Sequence, residues 1–277
     1  MNLEDSIGDI LRKARISTQT PAEVAAELAG LAREAYEQLE STGQAPAGIQ
    51  WAPLARRLTL DAGRLAAQHD GWRPGPARLD TWRQLRVFTT AGDDMTVNCF
   101  LAWDEATREA VLFDTGFSAA PVLEQIDAAG LALRHVLITH SHGDHVAALG
   151  EVRARFPGAR IHSGSAQAPA EHRLRRDEGI QAGCLRITHR ETPGHAEDGI
   201  TYVVAGWPGD APLVAVVGDA LFAGSIGGAR ENLALARRRI RDAIFSLPAD
   251  TLVCPGHGPV TTVGEEMAHN PWFPAGE

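Results

Sequence analysis

Positions 139 to 145 read Thr139-His140-Ser141-His142-Gly143-Asp144-His145, placing three imidazoles and a carboxylate within six residues. Neutral imidazole and ionised carboxylate are the ligands that Zn²⁺ and neighbouring transition metals take, and crowding four of them is costly unless something binds them. A lone histidine is ordinarily a packed or surface residue. Four candidate ligands at one point turn the reading toward metal. The cluster follows His135-Val136-Leu137-Ile138, an apolar, β-branched run of the kind that forms a buried strand, and a helix is predicted to begin near Val146. The ligands are thus expected on a loop at a strand's C-terminal end, where a rigid scaffold can hold catalytic groups. His140 and His142 tip the same way, leaving Asp144 and His145 to face a second point, a pattern suited to two ions.

The elements needed to complete such a site follow in order. Glu191-Thr192-Pro193-Gly194-His195 presents a histidine after a Pro-Gly turn and before the strand-like Ile200-Thr201-Tyr202-Val203-Val204. Leu213-Val214-Ala215-Val216-Val217 reads as a core strand and ends in Gly218-Asp219; Thr251-Leu252-Val253-Cys254 ends in Pro255-Gly256-His257-Gly258-Pro259. Glycine beside each candidate lets the backbone approach closely and turn sharply. Asp114, in Val111-Leu112-Phe113-Asp114-Thr115-Gly116, repeats the design, either as a carboxylate that orients a ligand histidine or as an ordinary turn residue.

His140-Ser141-His142-Gly143-Asp144-His145 followed by His195, Asp219 and His257 resembles the metallo-β-lactamase superfamily, and within it the glyoxalase II type of thioesterase. The likeness runs over roughly residues 85 to 272 and includes the tail Pro255 to Glu266 with Asn270-Pro271, which is similar to short bacterial hydroxyacylglutathione hydrolase-like enzymes. It implies an α/β fold, an αββα sandwich of two mixed sheets flanked by helices. It implies one metal on His140, His142 and His195, a second on Asp144, His145 and His257, and Asp219 bridging them. Two divalent ions are expected, zinc first, with iron or manganese suited to the same ligands. Water between two such ions loses its proton near neutral pH, the ions can polarise a carbonyl, and Asp144 is placed to orient the nucleophile. A thioester fits, since a thiolate leaves with little acid assistance.

Other readings share parts of this pattern. β-Lactamases of the fold generally carry Cys or Ser where this chain has Asp219. Persulfide dioxygenases use a single iron on residues matching His140, His195 and Asp219, and lactonases and other ester hydrolases share the fold; a binding protein with little catalysis would not need the intact ligand set. No Gly-x-Ser-x-Gly occurs, although Gly164-Ser165 and Gly224-Ser225 are present. After Asp219, Leu221 to Gly227 agrees with the glyoxalase II pattern, but Gly228-Ala229 stands where an arginine is expected, with Arg230 two places later. Tyrosines that could hold glutathione are limited to Tyr36 and Tyr202. Arg173, Arg175 and Arg176 form a basic run, either a solvated face or a group attracting an anionic thioester of glutathione or coenzyme A.

The 277 residues suffice for one large core with a small appendage, at 44% hydrophobic residues. The acidic start, Met1-Asn2-Leu3-Glu4-Asp5, lacks a basic-then-apolar leader and no stretch is long enough to cross a bilayer, so a cytoplasmic protein with no membrane partner is expected. Cys99, Cys184 and Cys254 read as free thiols. A net charge of −9 argues against a nucleic-acid partner. Residues 1–78 read as a helical extension and 79–277 as the catalytic domain. A helix is predicted from Ile7 to Arg15, a second from a capping box at Thr20-Pro21-Ala22-Glu23 to Leu39, and a third from Pro53 to His69. Gly71 to Pro76 reads as linker, with Trp51, Trp72 and Trp82 docking the extension onto the body; a substrate lid or a homodimer arm is the alternative use.

Overall fold

Continuous apolar runs in the central strands require both faces of each sheet to be covered, and the chain meets this with two sheets and two helical layers. A computed structural model describes residues 2–76, 79–92, 95–175 and 178–274. The chain opens with α1 Ile7–Ser17, α2 Ala22–Ala29, α3 Arg33–Thr42, α4 Trp51–Arg57 and α5 Ala62–His69. A five-stranded sheet follows: β1 Leu85–Gly92, β2 Met95–Trp103, β3 Glu109–Phe113, β4 Ala132–Ile138 and β5 Arg160–Ser163, adjacent in that order. Helix α6 Ala120–Ala129 joins β3 to β4, and α7 Gly143–Val146 and α8 Leu149–Arg155 join β4 to β5. The second sheet is built from β6 Ile180–Ala182, β7 Leu185–Glu191, β8 Ile200–Ala205, β9 Val214–Gly218, β10 Leu252–Pro255 and β11 Thr261–Thr262, with α9 Leu233–Ala243 before β10 and α10 Val263–His269 after β11. Both sheets are mixed: β3, β4 and β5 are parallel in the first and β9 with β10 in the second, the other pairs antiparallel.

Strand periodicity sorts the core into three layers. Val111, Phe113 and Leu137 point between the sheets, against Tyr202, Val214 and Val216. Leu112 and Val136 point outward under Val122 and Ile126 of α6 and Val152 of α8. On the far side, Ala215, Val217 and Val253 meet Ile240 of α9 and Val263 of α10, together with Ile10 and Leu11 of α1, Leu54 of α4 and Leu65 of α5. This is the αββα sandwich that the sequence implied. The N-terminal helices share one core with α9 and α10. Among the described residues, no helix is long and apolar enough to cross a membrane. The three cysteines are free, Cys99 and Cys254 buried and Cys184 exposed.

Local helix signals prove less reliable than the strands. The helix expected to run from Thr20 to Leu39 breaks at Gly30, which takes the left-handed conformation at φ 70° and caps α2. Thr20 forms no capping box; Pro21 occupies the cap and the Thr20 hydroxyl pairs with that of Thr18 at 2.9 Å. The box forms instead between Ser6 and Asp9 at the head of α1. The helix expected over Pro53 to His69 begins at Trp51 and breaks around Thr59, at φ 56°. Leu58 and Leu60 both enter the core there, and a continuous helix turns residues two apart to different sides. The helix expected near Val146 begins at Gly143. Of the tryptophans, Trp72 stacks on His269 of α10 at 5.0 Å and Trp82 Nε1 donates to Pro212 O at 2.8 Å, whereas Trp51 packs on His69 within the extension. The boundary expected at residue 78 lies outside the described residues.

The C-terminal helix pins the loop after β9 through Glu266, which is fully buried. Its carboxyl accepts from Gly224 N at 2.9 Å, Thr261 Oγ1 at 2.8 Å and Asn270 Nδ2 at 2.8 Å. Burial outweighs these donors and pushes its pKa up to about 7. The folded chain therefore keeps a proton that the unfolded chain releases in the ordinary carboxyl range. Stability from this group is complete at acid pH and is lost as pH rises through 7, a change on the order of 3 kcal/mol. Glu266→Gln is expected to remove this share of the loss, so that urea midpoints measured from pH 5 to pH 8 fall less for the variant than for the natural chain.

Candidate metal centre

Parallel strands that end at one rim gather polar side chains which the strands themselves could not hold. Asp114 follows β3, His140 and His142 follow β4, Asp144 and His145 lie in α7, His195 lies on the turn after β7, Asp219 follows β9 and His257 follows β10. The structure brings all seven sequence-predicted ligands together. Three groups have ligand atoms within 4.8 Å of one another: His140, His142 and His195; His140, His145 and Asp219; and Asp144, His145 and His257. His142 Nδ1 is 3.0 Å from both His140 Nε2 and His195 Nε2. Across the centre, Asp144 Oδ2 lies 3.2 Å from His257 Nε2 and 3.5 Å from His145 Nε2. The Asp219 carboxylate stands between the sets, with Oδ2 3.4 Å from His195 Nε2 and from His257 Nε2, and Oδ1 3.3 Å from His145 Nε2.

Hydrogen bonds behind the rings fix which nitrogen faces inward. Asp114, at φ 55°, accepts from Thr139 N at 2.8 Å, from Thr139 Oγ1 at 2.7 Å and from His145 Nδ1 at 2.8 Å. It thus orients a ligand histidine, the first of its two sequence readings. Because the Thr139 hydroxyl gives its proton to Asp114, it can only accept from His140 Nδ1, 3.2 Å away. His257 Nδ1 donates to Thr96 O at 2.6 Å. His140, His145 and His257 are therefore held with Nδ1 as the outward donor and Nε2 turned to the centre, the arrangement that ligand histidines use. His145 Nε2 and Asp219 Oδ1 are buried with no hydrogen-bond partner. Inward-facing nitrogens 3.0 Å apart and orphaned polar atoms fit a bound cation, and the imidazole and carboxylate donors suit zinc or iron.

Without an ion, protons take up the charge. Burial pulls His140 down to about 3, with the neighbouring His145 adding to the effect. Burial alone would also lower His145 and His257, but Asp114 and Asp219 raise the first to about 10, and Asp144 and Asp219 raise the second to about 11. Asp219 is held well below the carboxylate range: burial opposes its charge, but the His145 and His257 rings, 3.3 and 3.4 Å away, outweigh it. A metal entering this centre displaces those protons, so metal affinity falls as pH falls.

The sequence did not point to what surrounds the centre. Gly256 is required by packing: a Cβ there would lie 2.3 Å from Asp219 Oδ1 and 2.5 Å from His145 Cε1. Tyr36 and Tyr202 are fully buried, Tyr202 bonding Ile138 O at 2.9 Å, so neither is open to a ligand. Arg173 and Arg175 are exposed, Arg173 donating to Ala168 O at 2.8 Å, and Arg176 lies outside the described residues. Arg230 is exposed on a short 3₁₀ turn.

Residues 92–257, which contain every candidate ligand, match the metallo-beta-lactamase superfamily. The chain belongs to that superfamily. It is 34% identical over 173 residues to a hydroxyacylglutathione hydrolase of Fuscovulum blasticum, a match covering 59% of this chain and 65% of that protein. The chain therefore spans just under two thirds of the length of that relative. It is 32% identical over 181 residues to the human mitochondrial persulfide dioxygenase ETHE1, covering 62% of this chain and 69% of that protein. The crystal structure of the B3 metallo-beta-lactamase BLEG-1 superposes with a TM-score of 0.57 at 28% identity, over 68% of this chain and 99% of that one. Members of the superfamily are metal-dependent enzymes, and the His/Asp clusters of this chain can hold metal ions. Gly256→Ala is expected to cut bound metal per chain at least tenfold, measured by elemental mass spectrometry after dialysis, while circular dichroism stays that of the natural chain.

Proposed function

We propose that the chain is a thioesterase with a paired metal centre, acting on an anionic thioester of the hydroxyacylglutathione type. Asp219 carries this reading, since its one carboxylate lies within 3.4 Å of histidines from both groups. His140, His142 and His195 would hold one divalent ion, Asp144, His145 and His257 the second, and Asp219 would be shared. When bound, such a pair acidifies water and stabilises negative charge developing on a carbonyl oxygen. The protein supplies the rest. Asp114, Thr139 and the Thr96 carbonyl hold the ligand rings in one tautomer and one orientation. Asp144, with 15% of its side chain open against 8% for Asp219, is placed to orient the attacking water through its carboxylate. No general acid is needed at the leaving group, because a thiolate leaves unaided.

A second reading is kept by the likeness to a persulfide dioxygenase: one iron on His140, His195 and Asp219, whose ligand atoms lie 3.4 to 4.0 Å apart at the carboxylate. Metal analysis and activity separate the two. The thioesterase reading expects two metals per chain and hydrolysis of S-lactoylglutathione. One iron per chain with oxygen uptake on glutathione persulfide would sink it. Asp219→Ala is expected to lose metal and activity together; unchanged metal content would refute the shared-carboxylate role.

A further inference from the structure

Residues 1–91 fall outside the superfamily match, yet the N-terminal segment reaches the loop that follows Asp219. Asp5, nearly fully buried, accepts from Ser225 Oγ and from Lys13 Nζ at 2.6 Å. Lys13, projecting from α1, also donates to Ile226 O at 3.2 Å and stands 5.3 Å from the centre of the Phe222 ring. Phe222 and Ile226 belong to the loop that follows Asp219. The Phe222 ring meets that of His257 edge-on at 5.8 Å. Gly227, next to Ile226, packs so closely that a Cβ would lie 2.0 Å from Asp219 O and 2.8 Å from His195 Nδ1. A lysine from outside the matched region is thus one residue removed from contact with two candidate ligands.

Stability alone does not account for this ammonium. A largely buried ion pair is commonly no more stabilising than apolar residues of the same volume, because desolvation offsets the attraction. Lys13 has three N–H donors, of which Asp5 and Ile226 take two, and 24% of its side chain remains open. Asp5 and the Ile226 carbonyl hold the charge at a fixed point on the loop that follows Asp219.

We propose that Lys13 is a specificity-determining residue: it receives a carboxylate of the thiol carrier, so the N-terminal extension is part of the substrate site. The identity of the substrate, though not the position of the charge, rests on the thioesterase reading. The test uses the full-length, metal-loaded protein. Removing Lys13 alone would strand the Asp5 charge, so Lys13→Met is combined with Asp5→Asn, which keeps an acceptor for Ser225. Lys13→Gln in the same Asp5→Asn background, which keeps a donor without charge, and Lys13→Arg alone, which keeps the charge, are measured beside it. For S-lactoylglutathione, both double variants are expected to raise KM about tenfold, with kcat and metal content unchanged and Lys13→Arg near the natural chain. For the uncharged lactoyl thioester of N-acetylcysteamine, KM should not move in any variant. An equal rise for both substrates, or no rise for the anionic one, overturns the proposal. Calorimetric binding of S-hexylglutathione, a thioether that cannot be hydrolysed, reads the same charge without chemistry. About tenfold weaker binding in the two uncharged variants supports Lys13 as the anion reader; an unchanged dissociation constant refutes it. Should the natural chain bind the thioether but hydrolyse neither thioester, the thioesterase reading fails and the role of Lys13 is still decided by the binding result.

Discussion

A carboxylate as buried as that of Asp219 persists in ionised form only if cations or donors surround it, since desolvation would otherwise return its proton. Much of the fold serves this requirement. Asp219 lies within 3.4 Å of histidines from α7, the turn after β7 and the β10 end, so three separate connections must converge on one carboxylate. Gly256 and Gly227 have no side chain because one would occupy the same volume as Asp219 or its partners. Asp114 extends the arrangement one layer outward, trading a left-handed backbone at φ 55° for three donors that hold Thr139 and His145. Strain at a non-glycine residue persists where surrounding bonds over-determine it, and here they do.

The loop from Leu221 to Gly228 is held from two directions. Glu266, Asn270 and Trp272 reach it from the C-terminal side through Gly224 N, Ser225 O and Ser225 Oγ. Asp5 and Lys13 reach it from the N-terminal side through Ser225 Oγ and Ile226 O. Ser225 is fully buried and serves both, donating to Asp5 and accepting from Trp272. Helices α1 to α5 also fill the outer layer over the second sheet, where Ile10, Leu11 and Leu54 cover Ala215 and Val253. The extension therefore packs on the second sheet and holds this loop at once.

The strands and the metal centre were legible because their signals are local and redundant. Val214 to Val217 reads as a strand buried on both faces and is one; the candidate ligands stand at strand ends, on a turn or in the short helix after β4, most of them near a glycine, so order along the chain mapped onto proximity in space. The extension was less legible. Gly30 and the Leu58-Leu60 pair break helices whose propensity runs straight through them, because the core dictates where the chain turns. Thr20 has the sequence of a capping box but Pro21 takes the cap position. Lys13 carried no signal at all: nothing in its neighbourhood along the chain distinguishes it from an ordinary lysine on a helix, and its meaning comes only from Ile226 and Phe222, more than two hundred residues away.

The likeness to both a hydrolase and a dioxygenase locates where the choice between them must be made. Every candidate ligand lies within the matched region, and imidazole and carboxylate accept zinc and iron alike. Ligand identity therefore cannot by itself direct one chemistry over the other. What can differ is how many ligands are free to coordinate, which Asp144 and His257 decide, and what the walls present to a substrate. Asp144 and His257 are 3.2 Å apart and both face the centre; without a second ion they stand as an ion pair, with His145, Asp219 and the Thr96 carbonyl as further partners. A single iron on His140, His195 and Asp219 would leave that ion pair intact, whereas the proposed second ion would have to displace its proton, so the two readings differ in the protons released on metal loading.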